Sequence, residues 1–244
     1  MLEAVLFDGD QTLWDFQKVM RAALVAVLDE LRRSRPAAAT LQIRDLASDR
    51  AAVATELAGV EYNLARLRAL GFARTLQRLR EAGSGASVGE DAALAEELTA
   101  SYFRHRDRDP ALFDDTLPCL DGLHATYRLG LLSNGSRLPS VAGLDGYFEA
   151  VVFAQDHQAA KPDPAIFAVM EERMGVRPQE CVLVGDHPLN DVGGAKRSGW
   201  RAVWIDRDGA GDYVAPDGCT EVPDATISSL DQLADVLAAL NGSG

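Results

Sequence analysis

Cysteine is scarce in this sequence of 244 residues: there are only three, and they are widely separated. An odd number of cysteines at such spacing is typical of neither a disulfide framework nor a zinc site. Cys181 opens an apolar run, where a buried core thiol is expected. We therefore expect Cys119, Cys181 and Cys219 to be free thiols without a metal.

Long hydrophobic runs and positive charge are also lacking. No apolar run is long enough to cross a bilayer, and residues 1–7 contain no basic residue, which predicts that they are not a secretory signal. The 24 lysines and arginines are outnumbered by 37 aspartates and glutamates, so the formal net charge is −13. This balance disfavours nucleic acid or an anionic membrane as a partner. We predict a cytoplasmic protein; a bound divalent cation would still allow it to take a small anion.

Short apolar runs of strand length recur along the chain. They are continuous rather than alternating, as expected for strands that are buried on both faces of a sheet. Helix-like segments separate most of them, and this alternation predicts an α/β fold with a doubly wound parallel sheet. The runs are residues 4–7, 129–132, 150–154, 181–184, 202–205 and, more weakly, 225–227.

Three helices are predicted among the later strands. Asp163 and Pro164 suit the start of one, because Asp caps helices and Pro fits the first turn, and Gly175 suits its end. The other two are predicted over about residues 189–198 and 231–240.

Residues 16–115 break the alternation and contain no convincing strand. Apolar residues at three- and four-residue steps between residues 16 and 31 predict an amphipathic helix. Residues 61–81 and 91–105 also have helical patterns. We predict a core domain formed by residues 1–14 and 116–244, with a helical domain of residues 15–115 inserted into it.

Carboxylates follow the first predicted strand, at the edge where open α/β sheets bind ligands. Asp8 and Asp10 are two residues apart and can point into one site, where one carboxylate attacks and the other transfers protons. Ser133 and Asn134 follow the second strand and precede a glycine. Such a turn can present O–H and N–H groups to phosphate oxygens.

Two further motifs supply charge of both signs. Lys161 lies in a proline-containing turn beyond the third strand and offers a cation for an anionic transition state. Residues 185–191 carry Asp186 and Asp191, and carboxylate oxygens are ligands that Mg²⁺ prefers. Each motif alone is also compatible with an ordinary turn, a helix cap or a solvated lysine. The presence of all four motifs in this order favours a single site that they form together.

This ordered set resembles the haloacid dehalogenase (HAD) superfamily, whose motifs run DxDxT, Ser/Thr, Lys and GDxxxxD. The resemblance covers residues 1–14 and 116–240. It implies a Rossmann-like core, and the helical insertion is similar to the C1-type cap of the family. It also implies a Mg²⁺-dependent phosphatase that acts on a small phosphorylated substrate through an aspartyl-phosphate.

The resemblance implies a role for each motif residue. Asp8 is expected to attack phosphorus, and Asp10 to protonate the leaving alcohol and then to deprotonate water. The expected metal ligands are Asp8, the Asp10 main-chain carbonyl, Asp186 and, directly or through water, Asp191. The expected phosphate-binding residues are Ser133, Asn134 and Lys161, with Thr12 supporting the loop.

Other functions on the same fold stay open. A 2-haloacid dehalogenase also forms an ester on its first aspartate, but halide leaves without a proton and that group lacks the second aspartate, so Asp10 favours phosphate. A phosphomutase would share the nucleophile but needs a cap that excludes water. A non-catalytic binding or regulatory protein is the alternative from another class. Among phosphatases, residues 7–16 and 160–167 are similar to a HAD branch that contains nucleoside 5′-monophosphatases and acylneuraminate-9-phosphatases, and phosphoglycolate phosphatase is also similar.

Three further features have two interpretations each. Trp14 either lines the substrate cavity or packs between the core and the helical domain. His187, between two expected ligands, is interpreted as a plain loop residue. An arginine-rich stretch either meets a second anionic group of the substrate or forms a solvated helix face balanced by Glu61 and Glu81, and we favour the solvated face. Its members are Arg66, Arg68, Arg74, Arg78 and Arg80, followed later by Arg104, His105 and Arg106.

Overall fold

The chain forms two compact units in a computed structural model, which describes residues 1–57, 63–209 and 211–242. The core unit comprises Met1–Phe16 and Pro110–Gly244, and the helical unit comprises Gln17–Asp109.

The contacts place the boundary between the units slightly differently from the predicted divisions after residues 14 and 115. Residues 110–115 belong to the core unit because their backbone pairs with the loop that follows the first strand. The Asp15 N–H donates to the Ala111 carbonyl at 2.8 Å, and the Phe113 N–H donates to the Leu13 carbonyl at 3.1 Å. These bonds join main-chain groups, which almost every residue has, so no pattern of side chains in the sequence predicts them.

Six parallel strands form the sheet of the core unit, in the order β3-β2-β1-β4-β5-β6. Each strand coincides closely with a predicted run, and the predicted fold class is confirmed. The strands are β1 (Ala4–Phe7), β2 (Arg128–Ser133), β3 (Ala150–Phe153), β4 (Cys181–Gly185), β5 (Arg201–Ile205) and β6 (Ala225–Ile227).

The described residues of the helical unit form four long helices around an apolar core of their own. The periodicity predicted three of them, although Glu61 lies outside the described residues. The helix over Ile43–Glu56 was not predicted. The helices are α1 (Phe16–Ser34), α2 (Ile43–Glu56), α3 (Leu64–Glu81) and α4 (Val88–Arg106).

The arginine-rich stretch is a solvated face only in part: Arg66 and Arg78 are exposed, as that interpretation expects, but Arg68 is not. Arg68 is buried, and its guanidinium carbon lies 4.2 Å from the ring centroid of Tyr102. Arg78 donates to Asp49 at 2.8 Å through Nη2. Asp49 is itself buried, and a buried carboxylate needs such a cation.

Helices cover both faces of the sheet, as a doubly wound fold requires. Val5 and Phe7 of β1 belong to one apolar cluster with residues of two flanking helices, and Ala4 and Leu6 belong to a second cluster on the opposite face. The core helices are α5 (Thr116–His124), α6 (Ala154–His157), α7 (Pro164–Met174), α8 (Gly194–Arg197) and α9 (Leu233–Gly242). The first cluster includes residues of α5 and α9, and the second includes residues of α7 and α8.

The predicted ends of α7 are confirmed. The Asp163 side chain accepts from the Ala165 N–H at 2.9 Å, and Gly175 ends the helix with a left-handed φ of 60°. The helix predicted over 189–198 is instead a π-helical turn, Pro188–Gly193, followed by α8. Within the described residues, none of the helices has both the length and the apolarity that a membrane crossing requires.

Candidate active site

The carboxyl ends of β1, β2 and β4 border one cavity of ≈ 190 Å³. Every predicted site residue except Thr12 lines it, together with four residues that were not predicted as part of the site. The predicted residues are Asp8, Asp10, Ser133, Asn134, Lys161, Asp186 and Asp191; the additional ones are Gln11, Gly135, His187 and Asn190.

The buried ammonium group of Lys161 lies between two carboxylates. Its Nζ donates to Asp8 Oδ1 at 2.7 Å and to Asp191 Oδ1 at 2.6 Å. Burial by itself would lower the pKa of Lys161, but the attraction of Asp191 and Asp8 outweighs burial and raises the pKa. Lys161 is therefore a fixed cation at neutral pH.

Two carboxyl groups in the cavity bind protons more tightly than usual. Burial raises the pKa of Asp8 well above its ordinary value; Lys161 opposes this shift, and the neighbouring carboxylates add to it. Burial and the charge of Asp191 raise the pKa of Asp186 to about 7. The single ammonium of Lys161 thus does not offset all the negative charge collected here.

The loop after β4 is built around Asp191. Asp191 Oδ2 accepts from the His187 N–H at 2.9 Å, and His187 Nδ1 accepts from the N–H groups of Leu189 and Asn190 at 3.2 Å each. A Cβ atom on Gly185 would lie 2.3 Å from Asp191 Cγ, so only glycine leaves room for this side chain. His187 is therefore more than the plain loop residue expected, because its ring caps the π-helical turn and lines the cavity.

Asn134 joins the loop after β2 to the loop that carries Lys161. Its side-chain Nδ2 donates to the Lys161 carbonyl, and its Oδ1 accepts from the Lys161 N–H, both at 2.8 Å. The side-chain amide of Asn134 is therefore engaged in holding the main chain of Lys161. Ser133 Oγ accepts from the Gly135 N–H at 3.0 Å, which orients the hydroxyl in the same turn.

The loop after β1 is held by groups that lie behind the cavity. Thr12 is fully buried, and its carbonyl accepts from Arg207 Nη2 at 2.7 Å. Trp14 is also fully buried, and its Nε1–H donates to Asp10 Oδ1 at 2.7 Å. The indole of Trp14 belongs to an apolar cluster of the core unit, and it also bonds an expected catalytic group.

The acidic residues of the cavity fit a divalent cation. Side-chain oxygens of Asp8, Asp186 and Asp191 lie within 4.8 Å of one another, and carboxylate oxygens suit a hard ion such as Mg²⁺. Burial is the main cause of the raised pKa values of Asp8 and Asp186, and the charge of neighbouring carboxylates adds to it; a cation would favour the charged form of both groups. The expected ligand from Asp10 is its main-chain carbonyl, and this assignment stays a prediction.

Comparison with known proteins identifies the family. The model of the haloacid dehalogenase-like hydrolases matches residues 2–199. The chain belongs to this family. This HAD hydrolase is 30% identical over 236 residues to the 5-amino-6-(5-phospho-D-ribitylamino)uracil phosphatase of Escherichia coli (strain K12), a match covering 97% of this chain and 96% of that one.

The names of further relatives include both a phosphatase and a dehalogenase. The chain is 32% identical over 154 residues to the N-acylneuraminate-9-phosphatase of Homo sapiens. This match covers 61% of this chain and 60% of the relative. The crystal structure of a 2-haloacid dehalogenase from Pseudomonas syringae pv. Tomato DC3000 matches with a TM-score of 0.82 and 30% identity, over 98% of this chain and 99% of that one. Similarity therefore establishes a hydrolase, and the choice between phosphate and halide depends on the site.

Proposed function

We propose that this HAD hydrolase is a Mg²⁺-dependent phosphatase that cleaves a small phosphate monoester through an aspartyl-phosphate on Asp8. The observation that carries the proposal is the second carboxylate, Asp10, which lines the same cavity as Asp8. A phosphate ester needs an acid for its leaving alcohol, whereas a halide ion leaves without one. The 2-haloacid dehalogenases of the family lack the second aspartate of the DxDxT motif.

In the first step, a carboxylate oxygen of Asp8 forms a bond to phosphorus as the bond from phosphorus to the ester oxygen breaks. Asp10 gives its proton to that ester oxygen, which leaves as an alcohol. Lys161 stays charged and offsets the repulsion between Asp8 and the anionic substrate. The Ser133 hydroxyl and the main chain of Asn134 are the groups we assign to the phosphoryl oxygens.

In the second step, Asp10 acts as a base. It takes a proton from water as the water oxygen bonds to phosphorus and the bond between Asp8 and phosphorus breaks. Inorganic phosphate is released, the Asp8 carboxylate is restored, and Asp10 is again protonated for the next substrate. One carboxyl group thus serves both half-reactions.

We assign the metal to the Asp8 and Asp186 carboxylates and the Asp10 carbonyl. When bound, Mg²⁺ supplies positive charge that neutralises phosphoryl oxygens and brings them to the nucleophile. Both oxygens of Asp191 are engaged, one by Lys161 and the other by the His187 N–H. We therefore propose that Asp191 holds Lys161 and the loop in place and reaches the ion through water.

The names of two relatives support a proposal for the class of substrate. The two phosphatases named above act, by their names, on a phosphorylated ribityl compound and on a phosphorylated acylneuraminate. We propose a phosphorylated sugar, polyol or nucleoside as the substrate. A panel of such esters, assayed by release of inorganic phosphate at fixed Mg²⁺, would rank them.

The decisive experiment compares phosphate with halide chemistry in the same preparation. We expect the wild-type protein to hydrolyse p-nitrophenyl phosphate, to lose this activity in excess chelator, and to release no chloride from 2-chloropropionate. Asp8→Asn should abolish turnover and keep the circular dichroism spectrum, while Asp145→Asn, at an exposed position of the core unit, should change neither. Chloride release, or undiminished phosphatase activity in Asp8→Asn, would overturn the proposal.

A further inference from the structure

Each of the three tryptophans in this chain donates its indole N–H to an oxygen at 2.7 Å. Trp204 donates to the Asp186 carbonyl, and Trp200 donates to Glu171 Oε1 on α7. Trp14 differs from both because its acceptor is the side chain of Asp10, the proposed proton donor. The indole of Trp14 therefore contacts the group whose orientation the proposed chemistry requires.

The local backbone holds this indole rigidly. Gln11 adopts a left-handed φ of 61°, and its N–H donates to the Trp14 carbonyl at 2.8 Å, which folds the loop back on itself. A Cβ atom on Gly9 would lie 2.3 Å from Trp14 Cζ2, so the ring fills the space that glycine leaves open. The guanidinium carbon of Arg137 lies over the Trp14 ring, 5.8 Å from the ring centroid. Trp14 has no exposed surface, and a tightly packed ring of this size cannot turn its N–H elsewhere.

The bond from the indole restrains how the Asp10 carboxyl group is turned. Trp14 Nε1–H donates to one of its oxygens, Oδ1. The other oxygen, Oδ2, faces the turn after β2: a Cβ atom on Gly135 would lie 2.8 Å from Oδ2 and 3.1 Å from Ser133 Oγ. In this orientation Oδ2 is directed toward the residues proposed to bind the phosphoryl group.

We infer that Trp14 is a positioning residue, whose indole N–H holds the Asp10 carboxyl with Oδ2 as the proton-transferring oxygen. This inference rests on the proposed function. As the bond between phosphorus and the ester oxygen breaks, the Oδ2 proton moves to that oxygen and the alcohol leaves, while Asp8 gains the bond to phosphorus. Loss of the indole bond removes one restraint on the carboxyl group, so Oδ2 would face the substrate for a smaller part of the time.

The test compares two leaving groups in Trp14→Phe. Simple alkyl alcohols are far weaker acids than p-nitrophenol, so an alkyl phosphate needs the Asp10 proton much more than p-nitrophenyl phosphate does. The parameter kcat/KM covers only the steps through alcohol release, which excludes the later role of Asp10 as a base. We expect kcat/KM for the alkyl phosphate to fall about ten- to a hundredfold, and that for p-nitrophenyl phosphate less than about threefold.

Trp200→Phe is the matched control. Trp200 is also buried in the core unit, and the substitution removes the bond from its indole N–H to a carboxylate, as Trp14→Phe does. It should leave the ratio of the two kcat/KM values unchanged. A second variant carries β-(3-benzothienyl)alanine at position 14, which keeps the shape of the indole and replaces its N–H by sulfur. It should reproduce the leaving-group effect even if Trp14→Phe does not fold.

The outcomes separate this inference from the function on which it rests. If the wild-type protein hydrolyses neither ester, the proposed phosphatase function fails. If Asp10→Asn shows the leaving-group effect but both changes at position 14 lower the two kcat/KM values equally, or lower neither, Trp14 does not position the acid and this inference alone is overturned.

Discussion

Replacing Asp186 by asparagine should make the metal-free protein more stable at pH 8, and the gain should shrink as the pH is lowered toward 5. Asp186 follows β4, is half-buried and faces the charge of Asp191 in the cavity. Asparagine has nearly the same shape but carries no charge. The substitution therefore removes the cost of burying a negative charge beside another one.

The expected size follows from the pKa. The pKa of Asp186 is raised from 3.8 to about 7, so between these values the folded protein retains a proton that the unfolded chain has lost. Because the folded state binds more protons in this window, its stability falls as the pH rises, and the loss is complete above the folded pKa. At about 1.4 kcal/mol per pKa unit, the full penalty is on the order of a few kcal/mol.

Urea denaturation in excess chelator, followed by tryptophan fluorescence, measures this directly. Trp14, Trp200 and Trp204 all lie in the core unit, so the signal reports the unit that holds the site. The quantity to compare is the free energy of unfolding of Asp186→Asn minus that of the wild-type protein at pH 5, 6, 7 and 8. Asp145→Asn, at an exposed position, serves as the control and should show no difference at any pH.

Added Mg²⁺ should narrow the difference in stability between the two proteins. A ligand at a hundred times its dissociation constant stabilises the folded state by about 2.7 kcal/mol, and the variant should gain less because it lacks one proposed ligand. The reasoning is refuted if Asp186→Asn is no more stable than the wild-type protein at pH 8 in chelator. It is also refuted if the difference shrinks, rather than grows, between pH 5 and pH 7.

Two further substitutions test the contacts around the buried ammonium. Lys161→Met should lower the free energy of unfolding in chelator by about 3–5 kcal/mol, because Asp8 and Asp191 lose a buried cation. Lys161→Met should also reduce turnover to background. Urea titration measures the loss of stability, and phosphate release measures the loss of turnover. A free energy of unfolding equal to that of the wild-type protein would contradict the predicted loss of stability. Gly185→Ala should lower kcat, because the new Cβ would lie 2.3 Å from Asp191 Cγ and displace that side chain. Gly122→Ala on α5 is the control, since a Cβ atom there meets no atom within 4 Å. It should leave kcat unchanged and stabilise the fold by up to about 1 kcal/mol.

The strands were predictable because each is buried on both faces and reads as an unbroken apolar run. The helix α2 was not, because its buried side includes the carboxylate of Asp49, which breaks the apolar periodicity. Thr75 Oγ1 donates to Asp49 at 2.7 Å, so a polar group replaces the hydrophobic contact that a pattern search expects. The helix α5 was missed for another reason, since Pro118 and Gly122 resemble helix breakers in a sequence of only nine helical residues.

The sequence by itself determined which chemical groups come to the carboxyl edge of the sheet, because the end of a parallel strand places whatever follows it at that edge. Asp8 and Asp186 were predictable on this ground. Only the tertiary structure decided how those groups pair. Lys161 bonds Asp8 across 153 positions and Asp191 across 30, and Asn134 holds the Lys161 backbone across 27. Such pairings depend on how distant loops meet, and no local spacing in a chain encodes that.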